Sequence, residues 1–167
     1  MKNTTHTRIL FLAQAGVIAA LYVALTHLSN LAGLASGAIQ VRISEAFCIL
    51  AVFSPAAIPG MTIGCFLANL STGCVWADVL LGSLASFLGA MGGWLLRKNS
   101  VWLVPIPTVL ANAVIVPFVL KYAYGLEDAW WFLFLTVGAG EMIAAYALGI
   151  ALYFALRKRG ERIFRLH

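Results

Sequence analysis

Long apolar stretches alternate with short polar connections along almost the whole chain. Each stretch is close to the roughly 20 residues that cross the hydrocarbon core of a bilayer as a helix. The pattern predicts an all-α integral membrane protein that forms a single membrane domain over residues 1–167. Six transmembrane helices are expected, with approximate spans 9–28, 45–54, 56–73, 76–96, 101–122 and 129–156.

The first two spans need qualification. The first follows Lys2 and Arg8, as a signal peptide would, but its apolar run exceeds the roughly 7–15 residues of a signal h-region and is therefore predicted to be a helix. The second is closed by Ser54-Pro55 and is too short to cross about 30 Å of hydrocarbon unless it borrows residues from the preceding loop. That loop, over residues 29–44, alternates apolar and polar positions near Gln40 and Arg42, which indicates a short extended piece.

Composition and charge support this interpretation and add an orientation. The chain is 62% hydrophobic and 10% charged, whereas soluble domains carry about 25% charged residues, so a cytosolic enzyme or a free nucleic-acid binder is excluded. Six crossings put nine of the eleven Lys and Arg residues on one side. By the positive-inside rule both termini are cytoplasmic, in a multi-pass protein of the cell membrane. The nine are Lys2, Arg8, Arg97, Lys98, Arg157, Lys158, Arg159, Arg162 and Arg165.

Polar side chains within the spans are candidate binding residues, because ionisable and amide groups are costly in hydrocarbon. Glu141 is the deepest charge, near the predicted midplane. Asn69 and Asn112 lie in the outer parts of the third and fifth spans. Each of the three has an alternative, purely structural interpretation as a hydrogen-bonding link to a neighbouring helix.

Further polar residues gather at the outer ends of the helices, among them Gln40, Arg42, Glu45 and Asp78. The inner half has little besides Gln14, so the pattern describes a cup open to the outside rather than a channel, which needs polar groups along its whole depth. Aromatic residues crowd the same rim. Two of them are candidates for stacking on a planar ligand or for an interfacial belt: Trp76 and Trp130.

The sequence contains no enzyme motif and no nucleotide-binding motif. The three cysteines lack metal-ligand spacing, and no cofactor, metal or catalytic residue is predicted. Uphill transport would therefore take its energy from a partner or an ion gradient. The first helix offers a docking face, since small residues four apart permit close helix approach; the residues are Ala15, Ala19, Gly16 and Ala20.

These features resemble those of the QueT family of queuosine-precursor transporters, which are substrate-binding (S) components of energy-coupling factor (ECF) transporters. The resemblance extends through Gly64-Cys65 and Ala68-Asn69 in the third span and Asp78 with residues 81–85 in the fourth. Its most specific part is the run Gly37-Ala38-Ile39-Gln40-Val41-Arg42-Ile43-Ser44-Glu45-Ala46.

The resemblance implies an S subunit that captures a 7-deazaguanine, such as 7-aminomethyl-7-deazaguanine or queuine, in an outward-facing pocket. ATP-driven uptake would then need a transmembrane coupling subunit and two cytoplasmic ATPases. The small residues of the first helix would contact the coupling subunit.

The implied ligand matches the chemistry of the cup. Glu141 is expected to accept hydrogen bonds from the ring N–H and the exocyclic amine, with Glu45 or Asp78 as the alternative or as the partner of the aminomethyl cation. Amides suit the carbonyl and the ring nitrogens. Arg42 is expected either to enter the pocket or to pair with Glu45 and hold the loop closed. The candidate amides are Asn69, Asn112 and Gln40.

Two other functions stay open at this point. One is an S component for a different vitamin, such as riboflavin, biotin or thiamine. The other is a membrane enzyme or assembly protein that does not transport, although His27 at the rim is the only histidine near the cup and no nucleophile beside a base is evident.

Overall fold

The computed structural model describes residues 4–34, 40–160 and 164, which contain helices and turns and no strand. The prediction of an all-α protein is confirmed. The α-helices are α1 (Thr4–Leu31), α2 (Ala57–Ser71), α3 (Trp76–Leu96), α4 (Ile106–Tyr122), α5 (Trp130–Glu141) and α6 (Gly149–Leu156). Three further helical segments are the 3-10 helices Ile43–Val52 and Val101–Leu103 and the π-helix Met142–Leu148.

In the part of the chain that the structure describes, four helical stretches are long and apolar enough to cross a membrane, namely Thr5–Leu31, Trp76–Leu96, Val101–Tyr122 and Trp130–Leu156. The 10 residues of the 3-10 helix extend for about 20 Å, and the 15 residues of α2 for about 22 Å. Both are shorter than a hydrocarbon core of about 30 Å. Six crossings with cytoplasmic termini therefore stay a prediction.

Some residues used in the sequence analysis lie outside the described part of the chain. They are Lys2, Arg162 and Arg165 of the basic set and Gly37, Ala38 and Ile39 of the family-like run. The remainder of that run is described: residues 40–42 have no regular secondary structure, Arg42 has an extended backbone, and the 3-10 helix begins at Ile43.

Two irregular helices pack against each other in the middle of the molecule. The Cys48 thiol of the 3-10 helix lies 3.6 Å from the carbonyl oxygen of Ala145 in the π-helix. Long 3-10 helices and π-helical turns are uncommon and often occur at functional sites. Glu45 belongs to the first of these helices and Glu141 immediately precedes the second.

Two glycines allow α2 to lie directly against α1. A Cβ atom on Gly64 would be 2.7 Å from Cβ of Tyr22 and 3.1 Å from Cα of Ala19, and one on Gly60 would be 2.8 Å from Cβ of Ile18. Because Gly60 and Gly64 are four residues apart, they share one helix face. The backbones approach closely along that face, which small residues make possible.

This packing divides the four predicted docking residues into two pairs. Ala15 and Ala19 are buried beneath α2 inside the chain. Gly16 and Ala20 lie on the exposed side of α1, and no atom lies within 4 Å of a Cβ built on Gly16. The inner pair serves the fold, and the outer pair is accessible to another protein.

We expect Gly64→Ala to destabilise the protein by about 1–3 kcal/mol, the usual cost of adding a methyl group to a filled interior. The melting temperature of the purified protein in detergent should fall. Gly16→Ala is the matched control, because the same methyl group meets open space and alanine favours a helix. An unchanged melting temperature for Gly64→Ala would contradict the close packing of α1 and α2.

Candidate binding site

Two adjoining cavities, which we call outer and inner, lie near the ends of α1, α2 and α4 and the start of α3. The outer cavity has a volume of about 330 Å³ and the inner one a volume of about 30 Å³. Gln40, Arg42 and Val116 line both cavities. The other residues of the inner cavity are Glu45, Cys65, Gly82, Asn112, Val137 and Glu141.

The inner cavity is lined by three buried polar side chains that have unpartnered atoms. Glu45, Asn112 and Glu141 are 2%, 4% and 8% exposed. Within the described part of the chain, Oε2 of Glu45, Nδ2 of Asn112 and Oε2 of Glu141 have no hydrogen-bond partner. Buried polar atoms are nearly always paired, and leaving one unpaired costs about 1–3 kcal/mol. Their convergence on one cavity makes that cavity a candidate binding site for a polar ligand.

Among the described residues, one oxygen of the Glu45 carboxyl is hydrogen-bonded and the other is not. Its Oε1 accepts hydrogen bonds from the hydroxyl of Tyr22 in α1 and, at 3.4 Å, from the hydroxyl of Ser86 in α3. Thr26 and Ser44 are hydrogen-bonded at 2.9 Å next to this contact and tie α1 to the start of the 3-10 helix. Oε1 is therefore occupied, whereas Oε2 of this cavity-lining residue has no partner among the described residues.

Glu141 occupies the deep end of the site. It is the last residue of the 12-residue helix α5, about 16 Å along the helix from its first residue, Trp130. The Asn112 amide faces the carboxyl groups of both Glu141 and Glu45. Among the described residues no hydroxyl group donates to Glu141, and its Oε2 has no hydrogen-bond partner.

Arg42 lines both cavities and is held by polar contacts on several elements. Its Nη1 donates to Oδ1 of Asn69 at 3.1 Å, and its Nη2 lies 3.6 Å from Oδ2 of Asp78. The Tyr124 hydroxyl donates to the same Asp78 oxygen at 3.1 Å, and Nδ2 of Asn69 donates to the Asp78 carbonyl oxygen at 3.1 Å. The cluster joins residues 40–42 to α2, to α3 and to the connection after α4.

This cluster corrects one expectation from the sequence. Arg42 pairs with Asp78, whereas an ion pair with Glu45 was one of the two expected arrangements. Burial opposes the charge of Arg42, but Asp78 and the other acidic groups nearby, Glu45 among them, together outweigh that effect and raise the pKa of the guanidinium above its usual value. Arg42 therefore stays a cation at the two cavities.

Two residues of the candidate site were not predicted from the sequence: Gly82, which lines the inner cavity, and Tyr22, which donates to Glu45. A Cβ atom on Gly82 would be 2.9 Å from Nδ2 of Asn69 and 3.3 Å from Oδ1 of Asp78, so only glycine leaves the amide in place. Tyr22 interrupts the apolar first span as a polar residue, and that is the signal by which a partner for Glu45 could have been found.

Seven of the nine predicted ligand-binding residues line the cavities: Gln40, Arg42, Glu45, Asn112 and Glu141 line the inner one, and Asn69 and Asp78 the outer one. The two predicted tryptophans are not among the described residues that line the cavities. Trp76 is 67% exposed at the start of α3, and Trp130 packs on Phe118 with ring centroids 5.0 Å apart. The apolar walls are Val116 and Val137 instead.

Comparison with known proteins gives two matches. Residues 12–158 match the family model described as QueT transporter. The queuosine precursor transporter QueT of Lactococcus lactis subsp. cremoris (strain MG1363) is 38% identical over 72 residues, which is 43% of this chain. The matched stretch covers 42% of that relative's length. No solved structure matches the chain significantly.

Proposed function

Because the chain belongs to the QueT transporter family, we propose that it captures a queuosine precursor as the S subunit of an ECF importer. The ligand is a 7-deazaguanine, held in the two cavities and taken up with the help of a coupling subunit and two ATPases. The observation that carries this proposal is the set of three buried, unpartnered polar atoms around the inner cavity.

The polar atoms have the complementarity that a deazaguanine needs. The Glu141 carboxylate accepts from the ring N–H and the exocyclic amine, and Nδ2 of Asn112 donates to the carbonyl oxygen. Val116 and Val137 supply apolar walls for the ring. A few convergent polar groups set among apolar walls are typical of small-molecule sites.

The volumes of the two cavities limit how the ligand can be accommodated. A space of about 30 Å³ holds about two water molecules, which is far less than a fused double ring. The ligand therefore needs part of the outer cavity as well, and the Arg42 side chain that lines both cavities has to move. Entry would exchange the bonds from Arg42 to Asn69 and Asp78 for contacts with the ligand.

The partner-docking part of the proposal uses the exposed side of α1. Gly16 and Ala20 are one helical turn apart and let a helix of the coupling subunit come close. Ala15 and Ala19 support that face from inside, since they hold α1 against α2.

A thermal-stability screen of the purified chain tests the proposed ligand class. A ligand that binds the folded protein adds about 2.7 kcal/mol at a hundredfold excess over its dissociation constant. We expect 7-deazaguanines to raise the melting temperature and riboflavin, biotin and thiamine to leave it unchanged. Stabilisation by one of these vitamins and by no deazaguanine would contradict the proposed function.

A further inference from the structure

We propose that the inner cavity selects positively charged, amine-bearing 7-deazaguanines over neutral ones of the same size, with Glu45 as the carboxylate that binds the amine. This step rests on the proposed function, since it takes a deazaguanine as the ligand. It adds that the site selects its ligand by charge and that the Glu45 side chain is responsible for this selection.

The charges around the two cavities are unbalanced. Three carboxyl groups line them, those of Glu45, Asp78 and Glu141, while Arg42 is the one basic side chain among the described residues that do so. Arg42 is already engaged with Asp78 and Asn69. In the described part of the chain, Glu45 and Glu141 have no cation within 4.0 Å.

A ligand's charge therefore matters to the free energy of binding. Burying a charge without a partner is costly, and a neutral ligand leaves both carboxyl groups facing an uncharged molecule. An ammonium group on the ligand supplies the missing positive charge, and hydrogen bonds between ionised groups are roughly twice as strong as neutral ones.

The hydrogen bonds of the two carboxyl groups assign their roles. Two hydroxyl groups occupy Oε1 of Glu45, which leaves Oε2 as a single acceptor at a fixed position. That arrangement suits one N–H of an ammonium group. Glu141 accepts from no hydroxyl group of the described residues, and its unpartnered Oε2 is available to the N–H groups at the edge of the guanine ring.

The wild-type chain tests selection by charge without any substitution. We would measure its affinities for 7-aminomethyl-7-deazaguanine and for 7-hydroxymethyl-7-deazaguanine by calorimetry at pH 7. The two ligands have nearly the same shape, but only the first carries an ammonium group. We expect the amine to bind about 10- to 100-fold more tightly, the range for a hydrogen bond to a charged group.

The possible results separate the two proposals. Equal affinities for the two ligands would overturn selection by charge and leave the proposed function standing. Binding of neither ligand would overturn both.

Substitution then tests the assignment to Glu45. Glu45→Gln keeps the shape and removes the charge, so the ratio of the two affinities should fall to nearly one. Glu127→Gln makes the same change at an exposed acid in the connection after α4 and should leave the ratio as in the wild type. A ratio that stays high in Glu45→Gln would overturn the role of Glu45.

Discussion

Replacing Glu141 by glutamine is expected to weaken binding of 7-aminomethyl-7-deazaguanine by about 100-fold or more. The wild-type carboxylate is expected to accept two hydrogen bonds from the ring edge. Glutamine keeps one acceptor oxygen but turns an NH₂ group towards a ligand N–H, so two donors face each other. The loss combines a charge-assisted hydrogen bond with a buried donor that is left unpaired.

The position of Glu141 makes this effect large. The residue is 8% exposed at the junction of α5 and the π-helix, so water cannot easily replace the lost contact. Both the aminomethyl and the hydroxymethyl ligand should lose affinity, because both have the same ring edge. This distinguishes Glu141→Gln from Glu45→Gln, which is expected to change the ratio between them.

Calorimetry on the purified variants checks the prediction for Glu141. Glu127→Gln again serves as the matched control, since it removes an acid that is exposed to solvent. Wild-type affinity in Glu141→Gln, with an unchanged melting temperature, would show that the ring edge is recognised elsewhere.

The double substitution Gly16→Leu and Ala20→Leu is expected to abolish assembly with the coupling subunit and therefore ATP-driven uptake. Two leucine side chains on the exposed side of α1 prevent the close helix approach that small residues allow. Binding of a deazaguanine to the isolated chain should persist, because neither residue lines a cavity.

Co-purification and uptake by reconstituted vesicles measure this second effect. Ala155→Leu, on the exposed surface of α6, is the matched control and should assemble normally. Ala19→Leu should behave differently again: it disrupts the contact with Gly64 and should lower the melting temperature of the chain itself. Normal assembly of the double variant would show that the coupling subunit binds another face.

The sequence predicted which residues line the two cavities better than it predicted the contacts between them. Glu141, Asn112 and Glu45 could be selected because each places a polar group where hydrocarbon makes it costly. Depth along a helix follows from simple counting at about 1.5 Å per residue. The pairing of Arg42 with Asp78 could not be foreseen from the sequence. Asp78 is far from Arg42 along the chain, and Glu45 was an equally plausible partner for the same cation.

Other features depend on packing that the hydrophobic pattern does not encode. Apolar residues are compatible with α, 3-10 or π geometry. The hydrophobic pattern therefore does not distinguish the irregular helices at Ile43–Val52 and Met142–Leu148 from α-helices. Small residues occur on two adjacent faces of α1, and the sequence alone does not say which face meets α2. The close approach of Gly60 and Gly64 settles that question.

A structure of the chain with bound 7-aminomethyl-7-deazaguanine tests the central claim most directly. The expected result has the ring N–H and exocyclic amine on Glu141, the aminomethyl group on Glu45, and the Arg42 side chain moved away from its present position. A ligand confined to the outer cavity, with neither glutamate in contact with it, would contradict the assignment of the inner cavity as the binding site.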